Sequence, residues 1–117
     1  MFNSTTLYHQ TDPAAASAII SSQRMRRGAG GMAGGGIYFA VSKADTHRKA
    51  QKHGVILEAD VTLGRILTIS ANGDSSITYR KLKSMGYDSV KIPRPNGIEH
   101  VVYDWTQVKN IKVRESG

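Results

Sequence analysis

Apolar positions come in short bursts along this chain, separated by glycine, proline or small polar residues. Bursts so bounded predict strands and short helices rather than long ones. Leu7-Tyr8-His9 reads as a strand, broken by Thr11-Asp12-Pro13. Asp12 suits an N-cap and Pro13 a first helical position, where a missing N–H costs nothing. Ala15, Ala18, Ile19 and Ser22 then recur at helical spacing, which predicts a helix over 13–22. Six glycines fall within the nine residues 28–36. That density excludes helix and central strand and predicts a flexible loop. Ile37 to Val41 is a predicted strand, and Ser42 a predicted cap for a helix running to about His53, with Asp45 as its capping-box-like partner. Gly54 is expected to close that helix as its C′ residue.

Val55 to Val61 is the next predicted strand, turned by Thr62-Leu63-Gly64-Arg65, with Ile66 to Ile69 short and extended beyond it. Asn72-Gly73-Asp74 reads as a turn. Ser75 is expected to cap a third helix carrying Ile77, Leu82 and Met85 and stopped by Gly86. Tyr87 to Ile92 and Ile98 to Tyr103 predict two paired strands across the rigid turn Pro93-Arg94-Pro95-Asn96-Gly97. Val108, Ile111 and Val113 predict a last strand, alternating with period two after Asn110. Short strands and segregated short helices together predict an α+β fold, mostly antiparallel.

Composition narrows this further. The 117 residues suffice for one compact domain, expected to span 1–117, and not for two cores. There is no cysteine, which excludes disulfides, thiolate metal sites and a catalytic thiol. No basic segment followed by an apolar run opens the chain, so no signal peptide is visible and an intracellular protein, cytoplasmic or nuclear, is expected. No apolar stretch approaches the roughly 20 residues of a membrane-spanning helix, so no membrane partner is expected, and the chain is expected to be a monomer. The net charge of +7 suits a polyanion such as a pyrophosphate, a nucleic acid or an acidic protein, and equally suits solubility alone.

Three residues stand out as candidate chemistry. His9 closes a strand and Tyr38 lies within one; residues in such positions are more often structural than functional. Glu99 opens an otherwise apolar strand, where a carboxylate must stay near water or find a partner. The glycine loop is no phosphate-binding P-loop, because no Gly-Lys-Ser/Thr ends it and a strand follows. His47 and His53 lie six apart and face different sides of a helix, and no metal is expected. A nucleophile elbow is also missing.

Taken in order, three blocks carry a resemblance. Leu7-Tyr8-His9-Gln10-Thr11 opens the chain, Gly36-Ile37-Tyr38-Phe39-Ala40 with Ser42-Lys43-Ala44 follows the loop, and Glu99-His100-Val101-Val102-Tyr103-Asp104 leads to Gln107-Val108. Together they resemble the poly(ADP-ribose) polymerase catalytic domain, over residues 7 to 108. The resemblance implies split antiparallel β-sheets with flanking short helices and a His-Tyr-Glu site for NAD⁺, here a substrate. It implies that His9 bonds the adenine-ribose 2′-hydroxyl, that the Gln10 backbone holds the nicotinamide amide, and that Thr11 contacts the adenosine ribose. Tyr38 would stack beneath the nicotinamide ring, and Glu99 would bond the nicotinamide-ribose 2′-hydroxyl and stabilise the cation formed as the glycosidic bond breaks. Arg26 or Arg27, in the covering loop, would meet the pyrophosphate, unless both are simply solvated.

The chain departs from that family's pattern at three positions. Gln10 replaces a glycine, Ala44 replaces the serine that would hold the carboxamide, with Ser42 or Thr46 as substitutes, and His47 falls where a second stacking aromatic is usual. The resemblance implies transfer of ADP-ribose to a macromolecule, protein being favoured over nucleic acid and one unit over a chain, with nicotinamide released. Three rivals are an NAD⁺ glycohydrolase, an inactive NAD⁺- or ADP-ribose-binding module, and a small basic nucleic-acid-binding domain. The last needs exposed aromatics beside its basic residues, and Tyr38, Phe39 and Tyr103 sit in apolar strands.

Overall fold

A computed structural model describes residues 3–49 and 54–116, the side chains of 47–49 and 116 excepted. The fold is α+β: among the described residues there are three short α-helices and seven strands in one mixed sheet of order β4-β5-β6-β2-β1-β3-β7. The strands are β1 (Ser4–Thr11), β2 (Ile37–Ala40), β3 (Val55–Thr62), β4 (Ile66–Thr68), β5 (Ser89–Arg94), β6 (Gly97–Val102) and β7 (Val108–Ser116). The helices are α1 (Pro13–Ser22), α2 (Lys43–Lys49) and α3 (Tyr79–Ser84). Every pairing is antiparallel except β4 with β5.

The first helix forms as its sequence predicts. The Asp12 carboxylate accepts from the Ala15 amide at 2.8 Å, and Pro13 occupies the first turn. At the other end Gln23 turns left-handed (φ 57°), and its side-chain amide bonds both the N–H and the carbonyl of Ile111 on edge strand β7. Ser42 caps α2, accepting from the Asp45 amide at 3.2 Å. The expected end of that helix falls on 50–53, outside the described residues, and the closure expected at Gly54 depends on it.

Expected boundaries move in the third helix and in β5, and the last strand gains a bulge. The third helix is capped by Thr78, not Ser75, because Asp74 turns back to accept from the Ser76 amide and hydroxyl, using the polar run before it. Strand β5 begins at Ser89 rather than Tyr87, since the Tyr87 amide ends α3 on the Leu82 carbonyl and the Asp88 amide bonds the Arg65 carbonyl. It runs on through Pro93, which is tolerated because β4 reaches only as far as Lys91. Strand β7 starts at Val108 as expected, and Asn110, with φ 54°, marks a bulge opposite Ala59. The extra residue is why Val108 and Ile111, three apart, are both buried, while Val113 on this edge strand stays 48% exposed.

Two cores flank the sheet. Leu7, Phe39, Leu57, Val61 and Val102 form one with Ala16 of α1. Val90, Ile92, Val101 and Tyr103 form the other with Leu82 of α3 and Ala33 of the glycine loop. Adjacent Val101 and Val102 belong to opposite cores, so β6 is buried on both faces. Between the halves the sheet nearly divides: β1 and β2 share one residue pair, Tyr8 with Ala40.

Candidate active site

Beyond Tyr8 and Ala40 the two strands part, and a cleft of about 590 Å³ follows the division. That volume is within the range of small-molecule pockets, about 300–1000 Å³. Because the cleft cuts through the sheet, side chains from both faces reach it. His9 shares a face with Leu7 and lies edge-on to Phe39, 6.1 Å between ring centres. Tyr38 and Glu99 lie on the opposite face, since Tyr38 pairs with Val101 and Ala40 with Glu99 in the β2–β6 ladder.

His9 bridges the opening. Its Nδ1 is 2.8 Å from the Tyr38 carbonyl, replacing a ladder bond that the diverging strands cannot make. Burial pushes the imidazole below its ordinary value of 6.5, against a smaller opposite pull from that bond. The neutral ring therefore donates from Nδ1 and presents Nε2 as an acceptor.

Tyr38 is tied down at its hydroxyl, which accepts from the Ala33 amide at 2.8 Å and donates to the Gly34 carbonyl at 2.6 Å. Burial, reinforced by Glu99, keeps the phenol above its usual range despite the Ala33 bond. The ring lies against Gly31 (φ 154°), where a Cβ would stand 2.5 Å from the Tyr38 oxygen. Gly34 (φ 75°) is equally constrained, its Cβ direction blocked by the Ile77 carbonyl. Tyr103 donates its hydroxyl to the Ala33 carbonyl from below. Residues 32–36 of the loop are thus anchored into the second core rather than flexible, and only 28–31 form an exposed rim.

The cleft gathers His9, Gln10, Thr11, Arg26, Tyr38 and Glu99. Ser42 is outside it, spent on the α2 cap. Arg27 is outside too, its guanidinium 5.7 Å from the Tyr79 ring. The His47 side chain lies outside the described residues. Thr46 lines the cleft, but its hydroxyl donates to the Lys43 carbonyl, which leaves it only an acceptor for a ligand. Gln10 is 8% exposed, and its buried Oε1 accepts no hydrogen bond.

Arg94 was not anticipated. It lines the cleft and donates to the Ala71 carbonyl at 2.7 Å. It reaches the cleft because the turn is only Pro95-Asn96, which pairs Arg94 with Gly97 and puts it on the face of Ile92, the partner of Glu99. The cleft therefore holds two guanidiniums and one carboxylate, an arrangement suited to a ligand bearing both anionic and developing cationic groups. Among the described residues no group of three or more His, Asp or Glu side chains is placed to hold a metal.

No model of a known protein family matches this chain, and no curated protein matches it.

Proposed function

We propose that the chain is an NAD⁺-dependent ADP-ribosyltransferase of the poly(ADP-ribose) polymerase type, its split-sheet fold included. The observation that carries this reading is the meeting of His9, Tyr38 and Glu99, from three strands far apart in sequence, in one cleft of ligand size. In this reading nicotinamide lies on the Tyr38 ring, with its amide toward the β1 backbone at Gln10. Nε2 of His9 accepts from the adenine-ribose hydroxyl, and Arg26 faces the pyrophosphate. The ribose–nicotinamide bond breaks with its electron pair going to the ring nitrogen, so nicotinamide leaves neutral. The Glu99 carboxylate stabilises the cationic sugar left behind. An acceptor nucleophile then bonds to the anomeric carbon and releases its proton.

Glu99→Gln is the direct test. It keeps shape and one hydrogen bond but removes the charge, and should lower transfer by roughly a hundredfold, on the order of 3 kcal/mol. Affinity for NAD⁺ should stay within a few-fold. Near-normal turnover in the variant would make Glu99 structural. Nicotinamide release that needs no acceptor would favour the glycohydrolase, and binding without release the inactive module.

A further inference from the structure

A second concavity of about 400 Å³ adjoins the cleft, with Met25 and Arg26 lining both. Its other walls are Arg24, Arg27, Tyr79, Tyr103, Asp104 and Trp105. Trp105 is 45% exposed, unlike the apolar-strand aromatics. Arg24 lies over its indole, 4.3 Å from the ring centre, and Arg27 over Tyr79, which stacks in turn on buried Tyr103. Rings beneath guanidiniums hold the planar cations in place while leaving N–H edges for a ligand. Asp104, the acid that lines this concavity among the described residues, is already engaged, accepting from the Thr106 amide and the Tyr79 hydroxyl as it caps the turn Trp105–Gln107.

We propose that this groove binds single-stranded nucleic acid, with phosphates on Arg24 and Arg27 and a base against the part of the Trp105 indole that Arg24 does not cover. Three exposed arginines around one groove favour an anion, and the half-exposed indole selects among anions: unpaired bases stack on rings, whereas carboxylate side chains and duplex bases do not. A strand in this groove passes the mouth of the cleft at Arg26. That the strand is also the acceptor of ADP-ribose rests on the transferase reading; the binding itself does not.

Trp105 is the only tryptophan in the chain, so its fluorescence reports on this groove alone. Titration with a single-stranded oligonucleotide of about 12 nucleotides, without NAD⁺, should quench it. The affinity should fall with salt at a log–log slope of about −0.7 per phosphate neutralised. Arg24→Gln with Arg27→Gln should weaken binding tenfold or more. Lys112→Gln with Arg114→Gln, an equal loss of charge on β7, should change it less than threefold. An oligoglutamate of matching charge should bind at least tenfold more weakly than the oligonucleotide. Binding that leaves Trp105 emission unchanged, equal losses in the two double variants, or equal affinity for oligoglutamate would each overturn the groove. With the native protein and labelled NAD⁺, transfer of label to the oligonucleotide supports the acceptor role. Labelling of other acceptors while a bound oligonucleotide stays unlabelled overturns that role and leaves the groove standing.

Discussion

Tyr38 has two separable parts: a hydroxyl that fastens the glycine loop and a ring that faces the cleft. Tyr38→Phe should leave the Ala33 amide and Gly34 carbonyl short of partners, costing about 1–2 kcal/mol of stability, with benzamide affinity changed only a few-fold. Tyr38→Ala should lose benzamide binding while keeping ADP-ribose, which lacks the ring. Thermal melts and titrations with both ligands check this; equal loss of benzamide binding in the two variants would mean that the loop, not the ring, shapes the site. His9 gives a pH dependence of definite sign. Its depressed value means that the unfolded chain takes up a proton first as pH falls, so its contribution is complete above about 6.5 and lost below that. His100, depressed by burial and by Lys91, acts the same way, while Asp88 and Asp104 are held below 3.8 and act in a more acidic window. Between pH 7 and 5.5 urea denaturation should show stability falling, and His9→Asn, which keeps a donor for Tyr38, should flatten that fall. An unchanged slope would rule out a buried neutral imidazole at position 9. Glu99 was legible because it breaks an apolar pattern, and His9 through the resemblance rather than through its own position; Arg94 required a strand register, which pattern alone did not supply.

At the scale of elements, Gln107 does the work of a whole turn. Its Oε1 accepts from the Tyr103 and Asp104 amides, and its Nε2 donates to the Thr62 and Asp88 carbonyls. One side chain thus joins the end of β6 to the ends of β3 and the α3–β5 turn. Gln107→Leu strands four backbone groups and should destabilise the fold by about 3 kcal/mol. Gln107→Glu keeps the acceptor and loses the donor, and should cost about half as much. Urea denaturation of the three proteins gives the order; a Leu variant as stable as the native chain would show that water replaces the amide. The elements themselves were largely readable because local chemistry sets them: a Pro after an Asp, a Ser before a helix, glycines with no side chain to pack. What escaped was non-local. The Thr78 cap depended on an Asp74 side chain folding back, and the bulge at Asn110 on strand β3 lying opposite. The parallel β4–β5 pair likewise could not follow from short-range turns, since it requires a crossover through α3.

Across the whole molecule the single sheet is weakest at the pair Tyr8–Ala40, where His9 bridges to the Tyr38 carbonyl, while the core with Leu7, Leu57, Phe39 and Val102 draws on strands from both sides of that point. The proposed dinucleotide would touch both halves: Gln10 and Thr11 on one strand, Tyr38 and Glu99 on the others. A ligand that spans such a division stabilises the native state by mass action, about 2.7 kcal/mol at a hundredfold excess over its Kd, and also restricts separation of the halves. ADP-ribose or an uncleavable NAD⁺ analogue should therefore slow amide hydrogen exchange on both lips of the cleft, at His9–Thr11 and at Ile37–Phe39. Benzamide, which fills only the ring end, should raise stability without protecting both lips equally. Amides of β7, whose Glu58 ion pairs lie away from the cleft, should respond only as far as global stability rises. Exchange measured by mass spectrometry at matched saturation separates these contributions. Protection by the dinucleotide analogue confined to one lip would mean that ligand and cleft do not span the sheet, and the assignment of His9 and Tyr38 to one substrate would then fail.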